Sequence, residues 1–245
     1  MKGKSDNTKI AAIADLHVRQ ADSGKWIDHF KDISRKADIL LICGDLTDTG
    51  DEREAQLLAE DLKACSIPVI GVLGNHDYER GLHKQIRHII ESENVHILNG
   101  DSLVIGKLGF AGVKGFGGGF DQHMLSMFGE SAMKAFVQEG VDEALHLDRA
   151  LARLDQEHEG IPKIVVLHYS PTAETVRGEP EQIYPFLGSS RLAEPLVRRK
   201  VSAVFHGHAH AGMLKANLSG VKVFNVAQRV LENEGYGSPF FVFEI

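Results

Sequence analysis

The chain of 245 residues is poor in cysteine, in long apolar runs and in positive charge. Two cysteines, Cys43 and Cys65, make no disulfide framework, which sets aside the small stapled secreted classes, and Cys43 lies in an apolar run where a thiol packs as a small hydrophobe. A reducing compartment fits that usage. No run approaches the roughly 18 apolar residues that a membrane span needs, and the opening MKGKSDNTK leads into an apolar stretch too short for a signal peptide. The expected location is therefore the cytoplasm, without a membrane partner. Lys plus Arg number 27 against 34 Asp plus Glu, a formal charge of −7. Nucleic-acid binders normally show a basic excess and an aromatic-plus-basic strip; neither is evident, so nucleic acid is not the expected partner.

What is present is a chain able to bury a substantial core, 43% hydrophobic, with nothing that forces a division. A single domain over 1–245 is expected, without internal repeats, low-complexity tracts or long linkers. Short apolar runs at 10–14, 39–43 and 69–73 alternate with amphipathic stretches at 25–35 and 52–65, a pattern of β-α-β steps that implies parallel strands with right-handed crossovers. Further strands are expected at 95–98, 102–105, 110–113, 164–167, 202–205, 221–226 and 240–243. Helices are expected at 141–156 and, with a serine cap, at 189–199. Asn99-Gly100 has the sequence of a tight β-hairpin turn.

Metal-ligand residue types stand in five short blocks, each at the end of an apolar run. They are Asp15 and His17, Asp45 and Asp48, Asn75-His76-Asp77, His168, and His208 with His210. In open α/β sheets, sites gather outside the carboxyl ends of the strands. Carboxylate and amide oxygens mixed with imidazole nitrogens suit a pair of hard or borderline cations, and two such ions can activate water against a phosphate ester. In GDLTD the flanking glycine permits a sharp turn and Asp45 could bridge two cations, although an Asx turn would use the same residues. His76 could act as a general acid, with the Asp48 carboxylate on its other ring nitrogen fixing the tautomer; a solvent-facing loop histidine is the alternative. His206 precedes this last pair and is expected either to back the ligands or to be structural.

In this order, ADLH, GDLTD, GNHD, LHYSP and GHAH resemble the five motifs of the calcineurin-like metallophosphoesterase superfamily, and they span Asp15 to His210. The resemblance implies an α/β four-layer αββα sandwich, two mixed β-sheets flanked by helices. It implies that Asp15, His17, Asp45 and His210 hold one ion, and that Asp45, Asn75, His168 and His208 hold the other. The ions would be divalent or trivalent, Mn, Fe or Zn. The implied reaction is in-line attack on phosphorus by a hydroxide bridging the two ions, with His76, oriented by Asp48, protonating the leaving alkoxide.

Departures narrow the substrate. Protein Ser/Thr phosphatases of the superfamily carry Arg directly after GDxxD, where this chain has Thr49, and the long-chain nucleases add domains for which there is no room. The text GDLTDTG is similar to that of the compact bacterial phosphodiesterases, among them the class III cyclic-nucleotide enzymes. A phosphodiesterase acting on a small phosphodiester or nucleotide is expected, with a phosphomonoesterase or a non-catalytic metal-binding scaffold as alternatives. Two irregular stretches are placed to choose the substrate: the glycine-rich 115–119, which could present N–H groups to an anion, and 170–188, with Arg177 and Tyr184. Phe116, Phe120, Met124, Met127 and Phe128 could form an apolar lid, pack as core or make a subunit contact.

Overall fold

Fully apolar strands are the starting point, because a strand buried on both faces needs a covering layer on each side. The computed structural model describes residues 7–92 and 94–245; residues 1–6, part of the segment read above for a signal peptide, lie outside it. Strands β1 (Lys9–Ile13), β2 (Ile39–Cys43), β3 (Val69–Val72) and β4 (Val95–Ile97) run parallel, with Ile10 opposite Ile39 and Leu41 opposite Ile70. Helices α1 (Ile27–Lys36), α2 (Glu52–Leu62) and α3 (His83–Ile90) connect them in turn.

The second sheet begins with the antiparallel pair β5 (Asp101–Ile105) and β6 (Leu108–Gly112). Helix α4 (Ser131–Glu157) leads to β7 (Lys163–Val166), and the short α5 (Tyr184–Leu187) and α6 (Ala193–Arg198) precede β8 (Ala203–His206). Then β9 (Lys215–Leu218) and β10 (Val221–Asn225) pair as a hairpin, α7 (Gln228–Asn233) follows, and β11 (Phe241–Glu244) returns to lie antiparallel to β1. The orders are β11-β1-β2-β3-β4 and β5-β6-β7-β8-β10-β9.

Strand periodicity divides the core into three slabs. Ile10, Ala12, Leu41, Cys43, Ile164, Val166 and Phe205 fill the space between the two sheets. Their chain neighbours Ala11, Ile13, Leu40 and Ile42 face Phe30, Ile33 and Leu58 on the helical side of the first sheet. Val165, Leu167 and Val204 meet Leu147, Leu151 and Leu196 on the far side of the second. The layers are therefore helix, sheet, sheet, helix, the sandwich expected above.

Three local expectations are corrected. Asn99-Gly100 does not close a hairpin: β4 pairs with β3 and β5 with β6, so this turn carries the chain from one sheet to the other. The hairpin sits at Gly106-Lys107 instead, where Gly106 takes φ 59°. The helix expected over 189–199 runs only from Ala193 to Arg198, with no side-chain cap, because Ser189 is buried and its hydroxyl takes the Arg191 N–H in the turn before it. Helix α4 starts well before its apolar stripe, at Ser131, and α3, α7 and β9 carry too few buried side chains to announce themselves.

Candidate metal centre

All five motif blocks reach one edge of the sandwich, at the C-terminal ends of β1, β2, β3, β7 and β8, the position favoured for sites in parallel sheets. Their loops are laced to one another: the His17 N–H donates to the Asp45 carbonyl (3.0 Å), and the Val18 N–H to Leu46 (3.1 Å). Asp77 clamps two blocks together. Its buried carboxylate accepts from the Thr47 N–H (2.8 Å), the Thr47 hydroxyl (2.6 Å), Leu46 (3.2 Å) and Gly74 (2.8 Å). Burial, and then the Asp45 charge, push its pKa up to about 6. The last letter of GNHD thus builds the site rather than lining it.

Backbone strain gathers here. Asp15 (φ 58°), His17 (42°), Asp45 (50°) and His208 (68°) all take the left-handed conformation that non-glycine residues rarely adopt, a cost of order 1–3 kcal/mol each that is typical of functional sites. Close approach matters as much at Gly74, where a Cβ would fall on the Asp45 carboxylate and main chain.

Three overlapping sets of donors result: Asp15, His17 and His210; His17, Asp45 and His76; and Asp45, His168 and His208, each with its atoms within 4.8 Å of one another. The first gathers Asp15, His17 and His210 and the third Asp45, His168 and His208, with Asn75 Oδ1 2.9 Å from His168 Nε2. His168 Nδ1 donates to the Cys43 carbonyl (2.9 Å), so its Nε2 lone pair faces Asn75 Oδ1 and Asp45 Oδ1, the latter at 3.4 Å. Three acceptors converging this closely repel one another unless a proton or a cation lies among them. Burial opposes a charge on His168, yet Asp45 and then Asp15 raise its pKa to about 9; the field that holds that proton is the field that attracts a cation. His17 gives a second indication: both of its ring nitrogens are buried without a hydrogen-bond partner among the described residues, although Asp45 Oδ2 lies 3.7 Å from Nε2. An orphaned imidazole among carboxylates fits a metal ligand, and the donor set as a whole fits divalent cations.

His208 donates through Nε2 to the Phe186 carbonyl (3.1 Å), which leaves Nδ1 as the ring's acceptor atom, and burial, then the nearby His168, lower its pKa to about 4. His210 Nε2 lies 3.5 Å from Asp15 Oδ1, and that carboxylate raises its pKa. His206 is fully buried, bonded to Gly207 and Thr175, as a structural residue should be.

His76 is placed at the open side of the site, its side chain 37% exposed against 2% for Asp45. The sequence reading of its partner needs correction. His76 Nδ1 donates to the main-chain carbonyl of Asp48 (2.6 Å), while the Asp48 carboxylate turns away to Arg19 Nε (3.1 Å) and stands 3.6 Å from His17 Nδ1. The left-handed turn at Asp45 and the bond from the Asp48 N–H to Val18 bring that carbonyl round. Gln228 was missed altogether: its amide donates to the Asp15 carbonyl (2.6 Å) from α7.

The two irregular stretches meet each other. Gly118 and Gly119 donate to Pro185 and Gly188 (2.7 and 2.9 Å) and Gly115 to Glu143 (2.6 Å), so these three N–H groups are spent on protein acceptors. Tyr184 and Phe120 line a cavity of about 460 Å³ beside them, and no side-chain bond holds Arg177 among the described residues. Phe120 is core and Phe116 packs on Phe136 (4.9 Å), whereas Phe128 is 82% exposed.

The two-sheet sandwich and the donor sets at its edge are the arrangement expected of a metallophosphoesterase fold. The calcineurin-like phosphoesterase family matches residues 8–212, and the chain belongs to it. It is similar to a probable glycerophosphodiester phosphodiesterase, GpdQ, of Arcobacter nitrofigilis, 28% identical over 91 residues. That match spans 32% of this chain and only 33% of the relative's length. Among solved structures, the fold is similar to that of phosphopantetheinyl hydrolase from Mycobacterium tuberculosis, with a TM-score of 0.67 and 14% identity over 96% of this chain and 95% of that one. A protein of Thermus thermophilus gives a TM-score of 0.60 and 18% identity over 91% of this chain and 90% of its own. Among the described residues, no helix is long and apolar enough to cross a membrane.

Proposed function

We propose that the chain is a two-metal phosphodiesterase acting on a small phosphodiester or nucleotide, with Asp15, His17, Asp45, Asn75, His168, His208 and His210 as ligands. The observation that carries this reading is the convergence of lone pairs on either side of Asp45, from His168 Nε2 and Asn75 Oδ1 on one side and the unpartnered His17 ring on the other. Cations such as Mn, Fe or Zn held there would neutralise phosphate oxygens and activate water.

The chain's own contribution is positioning and proton transfer. With Nδ1–H committed to the Asp48 carbonyl, His76 presents Nε2 on the open side, 4.0 Å from Asp45 Oδ2, where a protonated ring can hand its proton to a leaving alkoxide. Asp48 acts here through its main chain. Thr49 is occupied by Glu54, whose carboxylate takes both its N–H (2.9 Å) and its hydroxyl (3.1 Å), so the position has no phosphate clamp of the protein phosphatase kind. The likeness to a glycerophosphodiester phosphodiesterase supports the diester over the monoester. Two buried, unpaired cysteines support a reducing compartment.

The test compares bis-p-nitrophenyl phosphate with p-nitrophenyl phosphate, using metal-stripped protein refilled with manganese. Preference for the diester, lost in His76→Ala, is the expected result. Preference for the monoester would replace the substrate class, and no activity with both ions bound would leave a metal-binding scaffold.

A further inference from the structure

A second cavity, of about 330 Å³, opens at the C-terminal ends of β3 and β4 and has a wall unlike the rest of this acidic chain. His83, Lys84 and Arg87 line it from α3, and Lys114 from the segment after β6. Leu73, Ile97 and Leu98 give the apolar side, and no carboxylate lines it. Two of the cations have counter-ions outside the wall. Lys114 has Glu143 at 3.8 Å and Glu139 at 3.9 Å, and Arg87 has Glu91 at 2.9 Å and Asp101 at 3.5 Å. Lys84 has no carboxylate partner among the described residues. The His83 ring lies flat on Tyr78, centroids 4.1 Å apart and planes 9° apart, and its Nδ1 has no hydrogen-bond partner among the described residues. Burial, then Lys84 and Lys114, lower its pKa.

The cavity adjoins the candidate metal centre through the chain itself. Tyr78 ends the turn His76–Tyr78 that begins with the proposed acid. The carbonyl of Lys114 accepts the N–H groups of His168 (3.0 Å) and Tyr169 (3.1 Å).

We propose that this cavity is a second anion site that takes a phosphate group of a small molecule, with Lys84 as the cation it neutralises. A charge-assisted contact at Lys84 favours phosphate over a neutral ligand, whereas Arg87 and Lys114 are each offset by two carboxylates and the Lys114 ammonium also donates to the Gly115 carbonyl (2.7 Å). The phosphate belongs either to the far end of the substrate, which rests on the function proposed above, or to a separate phosphorylated molecule, which does not.

Inorganic phosphate titrated calorimetrically into manganese-loaded protein separates the sites. Two binding events are expected in the parent chain. Lys84→Glu should weaken one of them about tenfold or more, the loss of one charge-assisted contact, while Lys84→Arg keeps it. Asp45→Asn should remove the other event and spare the cavity. A single event, or two that Lys84→Glu leaves unchanged, would overturn the site whatever the chain hydrolyses. Turnover of thymidine 5′-(p-nitrophenyl phosphate) with and without a 3′-phosphate then assigns the source. A KM about tenfold lower for the bisphosphate, abolished by Lys84→Glu, supports the substrate's far end. Equal KM values alongside two phosphate events support a separate ligand.

Discussion

Asp48→Ala and His76→Ala separate two ways of holding an acid. A carboxylate behind the ring would make the two variants fail together, whereas the main-chain carbonyl 2.6 Å from Nδ1 survives the alanine substitution. What Asp48→Ala removes is a pairing with Arg19, whose side chain is 68% exposed, and a 3.6 Å approach to His17 Nδ1. An exposed pair contributes about 0–1 kcal/mol, and even all of that in the barrier is about a fivefold change in rate. The loop has other anchors, since Thr47 is bound to Asp77 and the Asp48 N–H to Val18. Turnover of bis-p-nitrophenyl phosphate by Asp48→Ala should therefore stay within about fivefold of the parent, while His76→Ala falls by about 10²-fold or more. Both variants should keep their metal. If Asp48→Ala drops as far as His76→Ala at equal metal content, the main-chain account of His76 is wrong.

Gly74→Ala should displace the Asp45 carboxylate, since the new methyl falls on it; overpacking of this kind costs about 1–3 kcal/mol, read as a lower Tm together with weaker manganese binding by equilibrium dialysis. Asp148 on α4 takes a forked pair of bonds from Arg199 (Nε 2.8 Å, Nη2 3.2 Å), which holds its pKa below the ordinary carboxyl value despite partial burial. A lowered folded pKa means that the unfolded chain binds the proton first, so the stabilisation is present above the unfolded pKa and is lost as pH falls through the folded one. Asp148→Asn should cost about 1 kcal/mol at neutral pH, a Tm shift of about 2–4 °C, with the difference from the parent closing below about pH 4. A difference that persists at low pH would show that packing, not charge, links α4 to the residue that ends α6.

Legibility in the sequence followed how locally each feature is determined. Ile39–Cys43 was readable residue for residue because a strand buried on both faces is apolar throughout. Asn99-Gly100 misled because the same turn chemistry serves a hairpin and a crossing between sheets, and only long-range pairing of β4 with β3 decides between them. The first turns of α4 are mostly exposed, with Met133 at 41%, so they carry no apolar stripe. The ligand blocks stood out because metal donors are side chains with a distinctive chemistry. The Asp48 carbonyl, the Asp77 clamp and the Gln228 brace did not, since a main-chain acceptor has no letter of its own and a buried carboxylate reads like any other until its donors are known.

Asp45 standing between two cations is the claim on which the rest depends, and metal content tests it without reference to any substrate. Manganese-refilled, desalted protein is measured by plasma mass spectrometry beside Asp45→Asn. Two ions per chain in the parent and loss from both positions in the variant are the predicted result. One ion per chain in the parent, or two retained by Asp45→Asn, would contradict it.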